Sequence, residues 1–375
     1  MTTEVANSTS THDLEIRDLM VQFPLGKHGF FGRRRVVHAV DGVTFTVPAG
    51  EIVGLVGESG SGKSTIARAI MGLNTVTSGS ITLAGKELTG LSKPDRQALR
   101  RSGTMQMIWQ DPRGSLDPRQ RIRDAITLGM QRHVPYAAVQ ARVLATLEEV
   151  RLPESVLERR PGQLSGGQNQ RVAIARGLMS DLSVLIADEP TSALDVSVQA
   201  DIGNRLLGLN RELGMSCLLV SHDLGFVSNV ASRIVVLYLG CVMESGPAHQ
   251  VISTPTHPYT AALLAAAPSF GGANVHRAAY RIEGEIPSPI EPPSGCRFST
   301  RCPFARDKCR TEQPQPRRTS VGTVSACHFA DEIAPDLHRI STEVLADQLA
   351  CDIERNFPPS GTPTGCSEYE DEEQT

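Results

Sequence analysis

The apolar positions of this chain fall into short runs whose spacing changes along its length. LEIRDLMVQF, from Leu14, and VVHAVDGVTFTV, 36–47, alternate apolar and polar residues with the period of a strand. Between them PLGKHGFFGRRR, 24–35, reads as a loop rich in Gly and Arg. EIVGLVG, 51–57, is continuously apolar, as a strand buried on both faces would be. GESGSGKSTIARAIMG, 57–72, turns through glycines into an amphipathic helix, and residues 95–180 read mostly as helices broken by Pro and Gly. Three further apolar runs, LSVLIADEP (182–190), CLLVSHDL (217–224) and RIVVLYLG (233–240), read as buried strands. Strands alternating with helices predict parallel βαβ units and a layered α/β fold.

The texture changes near Thr254. THPYT, PSF, IPSPIEPPSG and a cysteine run are Pro-rich and irregular, which predicts a small appended unit over 251–330 behind a main domain at 13–250. Residues 1–12 are expected to be disordered, and 331–375 to form a tail ending in the acidic SEYEDEEQT. No tandem repeat is visible.

Composition narrows the class. A net charge of −4 over 375 residues argues against a general nucleic-acid coat. MTTEVANSTSTHD lacks the apolar core of a signal peptide, and no apolar run approaches the roughly 18 residues that span a bilayer. The expectation is a soluble protein that is not secreted, in which thiols stay reduced.

Gly57–Ser64, GESGSGKS, matches the phosphate-loop pattern G-x-x-x-x-G-K-[ST] in full. Its residues (Gly57, Glu58, Ser59, Gly60, Ser61, Gly62, Lys63, Ser64, with Thr65 next) would wrap phosphate oxygens with backbone N–H groups. Lys63 would reach the β- and γ-phosphates of ATP, and Ser64 would ligate Mg²⁺. ADEP, 187–190, closes a strand, with Asp188 as a second Mg²⁺-directed acid and Glu189 placed to polarise the attacking water. QLSGGQNQRVAIARG, 163–177, opens a second helix on a Ser-Gly-Gly turn, a second anion-binding helix start (Ser165, Gly166, Gly167, Gln168). One nucleotide needs only one such start from one chain, so two predict a head-to-tail dimer. Ser221-His222-Asp223 is not a hydrolase triad, because consecutive side chains diverge and triads assemble from separated positions.

Together, the phosphate loop, LSGGQ, ADEP and the later SHD resemble the nucleotide-binding domain of an ABC transporter over about residues 13–250. The resemblance implies a P-loop NTPase fold with a helical subdomain at about 105–175. It implies that Gln110 approaches Mg²⁺, that SALD (192–195) crosses the dimer interface with Asp195, and that His222 contacts the γ-phosphate. Asn169 departs from the longer polar or basic residue usual after LSGGQ, with little effect expected. Phe30, Phe31 and His38 are candidates for stacking on adenine. FPLGKHGFFGRRRVVHAVDGV, MQMIWQDPRGSLDP and THPYT followed by ALLAAAP resemble the ATPases of dipeptide/oligopeptide importers, especially the second of their paired ATPases. Nickel and glutathione importers share this type. A soluble ABC ATPase is the competing class, but such proteins usually carry two nucleotide-binding domains, and one phosphate loop is present here. The resemblance implies a sister ATPase forming a heterodimer, two permeases, an extracytoplasmic solute-binding protein and a peripheral place on the cytoplasmic membrane face.

Cys296, Cys302, Cys309 and Cys327 lie within 32 residues at spacing C-x5-C-x6-C-x17-C, without the C-x2-C pairs of common zinc ribbons. Relatives in the importer family carry a cysteine motif in this extension that in some holds a 4Fe–4S cluster. A cluster, zinc, and free or redox-active thiols all remain open, with Arg297, Arg301, Arg306 and Arg310 expected to balance a thiolate-rich site. Cys217 and Cys241 read as core thiols, and Cys351 and Cys366 as tail residues.

Overall fold

A computed structural model of the chain describes residues 13–25, 35–111, 114–128, 135–179, 183–191, 196–266 and 282–342. The expected disordered start, Phe30, Phe31, Asp195 and the acidic end lie outside these residues, as do Cys351 and Cys366.

The alternating runs form β1 (Leu14–Pro24) and β2 (Val36–Val47), paired antiparallel. β4 (Ser78–Leu83) and β5 (Lys86–Glu87) complete a four-stranded sheet of order β2-β1-β4-β5. The continuous apolar runs form β3 (Ile52–Val56), β7 (Val184–Asp188), β8 (Ser216–Ser221) and β9 (Arg233–Tyr238). They pair parallel with one another and with β6 (Met105–Ile108) in the order β9-β3-β8-β7-β6. β6 corrects the helical reading of 95–180. Its four residues, MQMI, are too few to show a period, and what makes them a strand is pairing with β7.

This sheet has two cores, divided by strand alternation. Val53, Leu55, Ile186, Leu218 and Val220 pack toward the antiparallel sheet and α1 (Lys63–Ile70), together with Leu14, Ile16, Ile66 and Ile70. Ile52, Val56, Leu185, Ala187, Cys217 and Leu219 pack on the other side, in the cluster that includes α5 (Gly166–Leu178), α6 (Val196–Leu213) and α7 (Leu224–Val230). Cys217 is a core thiol, fully buried, with burial pushing its pKa up to about 12.

The extension is built onto this sheet. β10 (Cys241–Pro247) pairs antiparallel with β9, and the short strands β11 (Arg317–Arg318) and β12 (Val324–Ser325) continue from β10. THPYT is pinned to β10 by Glu244, which is fully buried. Its carboxylate accepts from Thr256 N–H (2.9 Å), Thr256 Oγ1–H (2.8 Å) and His257 N–H (3.0 Å). The motif then enters α9 (Pro258–Ala266). Residues 331–342, assigned to the tail on sequence, are helical and bury Ile333 and Leu337 against Ala261. Polar residues on the outer face of that segment mask its apolar stripe in a reading by composition.

Gly54 is the glycine that lets α7 close on β3: a Cβ there would lie 2.2 Å from Val227 Cγ1 and 3.4 Å from Ala231 Cβ. Gly54→Ala is expected to destabilise the chain by about 1–3 kcal/mol through overpacking, read as a lower urea midpoint at unchanged slope. His257 gives a pH signature. It is buried, its Nδ1 accepts from Tyr259 N–H at 3.1 Å, and burial lowers its pKa from 6.5 to about 3. A base with a depressed folded-state pKa contributes stability that is full above the unfolded value and lost as pH falls toward the folded one. Wild type should lose about 2 kcal/mol more than His257→Gln between about pH 7 and 5; equal losses in chemical denaturation would contradict a neutral, buried imidazole.

Candidate functional site

The loop between β3 and α1 is shaped by approaches that exclude side chains. A Cβ on Gly57 would stand 2.1 Å from Leu237 O, and one on Gly62 2.4 Å from Ala39 O. Both glycines have positive φ, +153° and +107°, which L side chains rarely adopt. Ser59 and Gly60 are exposed at the tip of the loop, while Ser61 and Lys63 are buried. Lys63 Nζ donates to Gly57 O (2.7 Å) and Glu58 O (2.8 Å) and lies 3.4 Å from Ser61 Oγ. Burial lowers the Lys63 pKa, opposed by the charges of Glu189, Asp188 and Glu58. Thr65 sits in the first turn of α1, its carbonyl accepting from Asn74 Nδ2–H at 3.3 Å.

β7 delivers the acids. Ser64 Oγ–H donates to Asp188 Oδ1 at 2.9 Å, joining α1 to the end of β7. Asp188 is fully buried, and its Oδ2 has no hydrogen-bond partner among the described residues. Desolvation raises the Asp188 pKa, against the hydrogen bond from Ser64. A bare, buried carboxylate oxygen beside a hydroxyl suits a hard divalent cation completed by phosphate oxygens, since Mg²⁺ is commonly held by one or two carboxylates plus substrate phosphates. Glu189 follows with φ +48°, left-handed for a residue with a side chain. That turn, costing on the order of 1–3 kcal/mol, brings consecutive carboxylates to one crevice where an extended strand would send them to opposite faces. Glu189 Oε2 accepts from Gln110 Nε2–H at 2.9 Å, and Glu189 Oε1 lies 3.3 Å from His222 Nδ1. Lys63, Ser64, Gln110, Asp188, Glu189 and His222 thus converge from the C-terminal ends of four strands, the usual ligand edge of such sheets.

Ser165–Gln168 make a separate feature. Ser165 caps α5: its Oγ accepts from Gln168 N–H (3.2 Å), and Gln168 Oε1 accepts from Ser165 N–H (3.1 Å). Gly166 and Gly167 open the helix. Among the described residues, no hydrogen bond or ion pair joins this turn to residues 57–65. Gln170 does link α5 to the acids, donating to Pro190 O at 2.7 Å. Asn169 is more than a minor departure. It is fully buried, and its Nδ2 donates to Pro161 O (3.0 Å), Leu164 O (3.3 Å) and Ser165 O (3.0 Å), holding the turn before the helix. His38 lies on β2 opposite Gln22, whose Nε2 is 3.4 Å from His38 Nδ1.

All four extension cysteines line one pocket with His257, Phe298, Phe304 and Phe329, a cavity of about 20 Å³. The thiols are free, and burial pushes Cys296 and Cys302 up to about 12 and Cys327 to about 11. Among the described residues, no three His, Cys, Asp or Glu side chains form a group that could hold a single metal ion. Three of the four arginines expected to balance a thiolate-rich site have carboxylate partners of their own. Arg297 pairs with Asp41, Arg301 with Glu58 at 2.7 Å, and Arg306 with Glu332 at 2.5 Å while lying over the Phe329 ring. Nearby carboxylates satisfy these guanidiniums first. Sequence reasoning also missed Tyr259, whose hydroxyl accepts from Glu58 N–H at 2.8 Å. The motif around it was visible; a contact across 201 residues was not.

A family profile described as ABC transporter matches residues 40–192, and one described as the C-terminal region of the oligopeptide/dipeptide transporter matches 243–309. A probable peptide ABC transporter ATP-binding protein of Sinorhizobium fredii is 44% identical over 351 residues, 93% of this chain and 97% of the relative. The oligopeptide transport ATP-binding protein OppF of Escherichia coli is 45% identical over 307 residues, 80% of this chain and 91% of OppF. Among solved structures, the dimeric bacterial ABC transporter cassette MJ0796 is 28% identical with a TM-score of 0.57, covering 63% of this chain and 98% of its own.

Asn169→Leu, close in volume, would take a donor from the buried carbonyls of Pro161 and Leu164 and the part-buried carbonyl of Ser165. It is expected to cost about 1–3 kcal/mol in denaturant unfolding. A loss below about 0.5 kcal/mol would mean that the turn holds itself.

Proposed function

Since the chain belongs to the ABC transporter family, we propose that it is the ATP-hydrolysing subunit of a binding-protein-dependent importer of di- or oligopeptides. Peptide is favoured over nickel or glutathione by the matched C-terminal region and by the names of these relatives. Residues 13–250 are assigned to the nucleotide-binding domain, with the helical subdomain at about 105–175, and 251–330 with the helix that follows to the extension.

The observation that carries the site assignment is the bare Asp188 Oδ2 beside Ser64, one residue before a Glu189 held between Gln110 and His222. In this reading, backbone N–H groups of the stretch Ser59 to Thr65 bind the triphosphate. Lys63 exchanges the carbonyls of Gly57 and Glu58 for the more strongly accepting β- and γ-oxygens. Ser64 and Asp188, with Gln110 nearby, would hold Mg²⁺, which would screen charge on the phosphates. Glu189 takes the proton of the attacking water, and His222, paired with it, senses the γ-phosphate.

The turn Ser165–Gln168, with no tie to its own phosphate loop, would complete the site of a second ATPase, and Asp195 would lie at that interface. The dimer of the related MJ0796 cassette is consistent with this arrangement. The partners are then a sister ATPase in a heterodimer, two permeases and an extracytoplasmic solute-binding protein. Among the described residues no helix is long and apolar enough to cross a membrane, which suits a peripheral subunit on the cytoplasmic face.

The cysteine pocket is assigned to a 4Fe–4S cluster in preference to zinc. A cluster spreads its four thiolates over four irons, so it needs convergence on a shared space, whereas zinc needs four sulfurs about 2.3 Å from one centre. The support for the first demand is that four free thiols line one pocket. The cluster would supply cross-links between segments of the extension.

Two experiments test this reading. Glu189→Gln in the assembled complex should lower ATP turnover by about 10²–10⁴-fold while trapping an ATP-bound dimer; unchanged turnover would remove Glu189 as the base. Anaerobic affinity purification from mildly solubilised membranes should recover the sister ATPase, both permeases and the solute-binding protein. About four iron and four acid-labile sulfide per chain are expected, lost in Cys309→Ser. Recovery of ribosomes or nucleic acid alone would support a soluble ATPase, and zinc in place of iron would overturn the cluster.

A further inference from the structure

Glu58, the second residue of the phosphate loop, is gripped by three side chains, while Ser61 N–H also donates to its carbonyl at 3.2 Å. Its N–H donates to the Tyr259 hydroxyl at 2.8 Å, its carbonyl accepts from Lys63 Nζ at 2.8 Å, and its carboxylate accepts from Arg301 at 2.7 and 3.2 Å. Two of the three grips come from beyond residue 250. Neither is a surface accident. The Arg301 side chain is 8% exposed and Glu58 25%, so this fork-shaped pair escapes much of the screening that cancels exposed ion pairs. Arg301 Nη1–H also donates to the Tyr238 hydroxyl at 3.3 Å. Tyr259 is fully buried, with ring centroids of Tyr238 and Phe298 4.7 and 5.3 Å away. Behind it, Thr256 and His257 are fixed by the buried Glu244.

We propose that Tyr259 and Arg301 are positioning residues for the phosphate loop, fixing Glu58 so that the loop keeps its shape when Lys63 turns to phosphate. The logic lies in which grip is released. Lys63 has one ammonium, and a triphosphate competes for it with the Gly57 and Glu58 carbonyls. Once Lys63 leaves, Ser61 N–H still holds the Glu58 carbonyl within the loop, and the grips from outside the loop are Tyr259 on its N–H and Arg301 on its carboxylate. A loop that keeps its shape loses less conformational freedom on binding, so these residues act on affinity through preorganisation. Their contacts reach the loop through Glu58, outside the group assigned to the attacking water, so their effect belongs in binding and leaves the chemical step alone. THPYT thereby gains a mechanical role. Thr256 and His257 anchor the segment on β10, and Tyr259 carries that anchor to the loop.

This rests on assigning residues 57–65 to the triphosphate, and the test separates the two. Mg·ATP affinity is measured on the full chain by displacement of a fluorescent ATP analogue, alongside melting temperature. KM and kcat are measured in the assembled transporter. Tyr259→Phe, which removes one oxygen, should weaken ATP binding about fivefold, and Arg301→Ala about tenfold. Both effects should appear in KM, with kcat little changed. Glu58→Ala combined with Arg301→Ala should be no worse than Arg301→Ala alone, because both remove the same pair. Arg301→Lys should restore only part of the affinity, since it keeps the charge and loses the fork.

Lys63→Ala is the control. If it binds ATP as wild type does, the site assignment itself fails. If Lys63→Ala abolishes binding while Tyr259→Phe and Arg301→Ala bind normally, only the positioning role is overturned. A loss confined to kcat would overturn it equally. Should Arg301→Ala not fold, Tyr259→Phe decides alone.

Discussion

The site depends on one constraint: the parallel strands β3, β7 and β8 are buried on both faces. Every residue of the three is buried, and side chains able to ionise strongly are excluded from their interiors. Polar chemistry is therefore pushed to the strand ends. Parallel pairing then aligns those ends, with Val56 opposite Ser221 and Asp188 opposite Val220. The loop after β3, the carboxylates at the end of β7 and His222 after β8 meet because their strands are in register. Within these three strands Asp188 is the one carboxylate, and it is half satisfied, by Ser64. That residual demand is the basis for proposing a cation and phosphate at this edge.

The extension belongs to the same mechanical unit as the loop. β12 lengthens the main sheet through β10, Glu244 anchors the start of the extension inside it, and Tyr259 and Arg301 reach back to Glu58. The cysteine pocket shares Phe298 with the aromatic cluster that holds Tyr259. Packing in the cysteine region is thus one side chain away from groups that touch the phosphate loop.

Local chemistry was the legible part of the sequence. GESGSGKS and ADEP announce phosphate and metal chemistry, because glycine spacing and adjacent acids carry the geometry with them. Strands β1, β2, β3, β7, β8 and β9 were visible because burial on one or two faces leaves a readable period. Long-range pairing was not visible. β6 is a strand through β7, and residues 330–342 pack through Ala261. The arginines of the cysteine run looked like counter-charges by proximity in sequence, whereas Asp41, Glu58 and Glu332 take three of them in space. No local pattern encodes a partner hundreds of residues away.

The central claim is that ATP turnover at this edge drives peptide import. Its most direct test is the ATPase rate of the transporter reconstituted in proteoliposomes, with the solute-binding protein supplied empty or peptide-loaded on the extracytoplasmic side. An importer ATPase should turn over several-fold faster with the peptide-loaded form, with peptide accumulating in the compartment that holds ATP. Brisk turnover that ignores the peptide-loaded protein, with no accumulation, would contradict the claim.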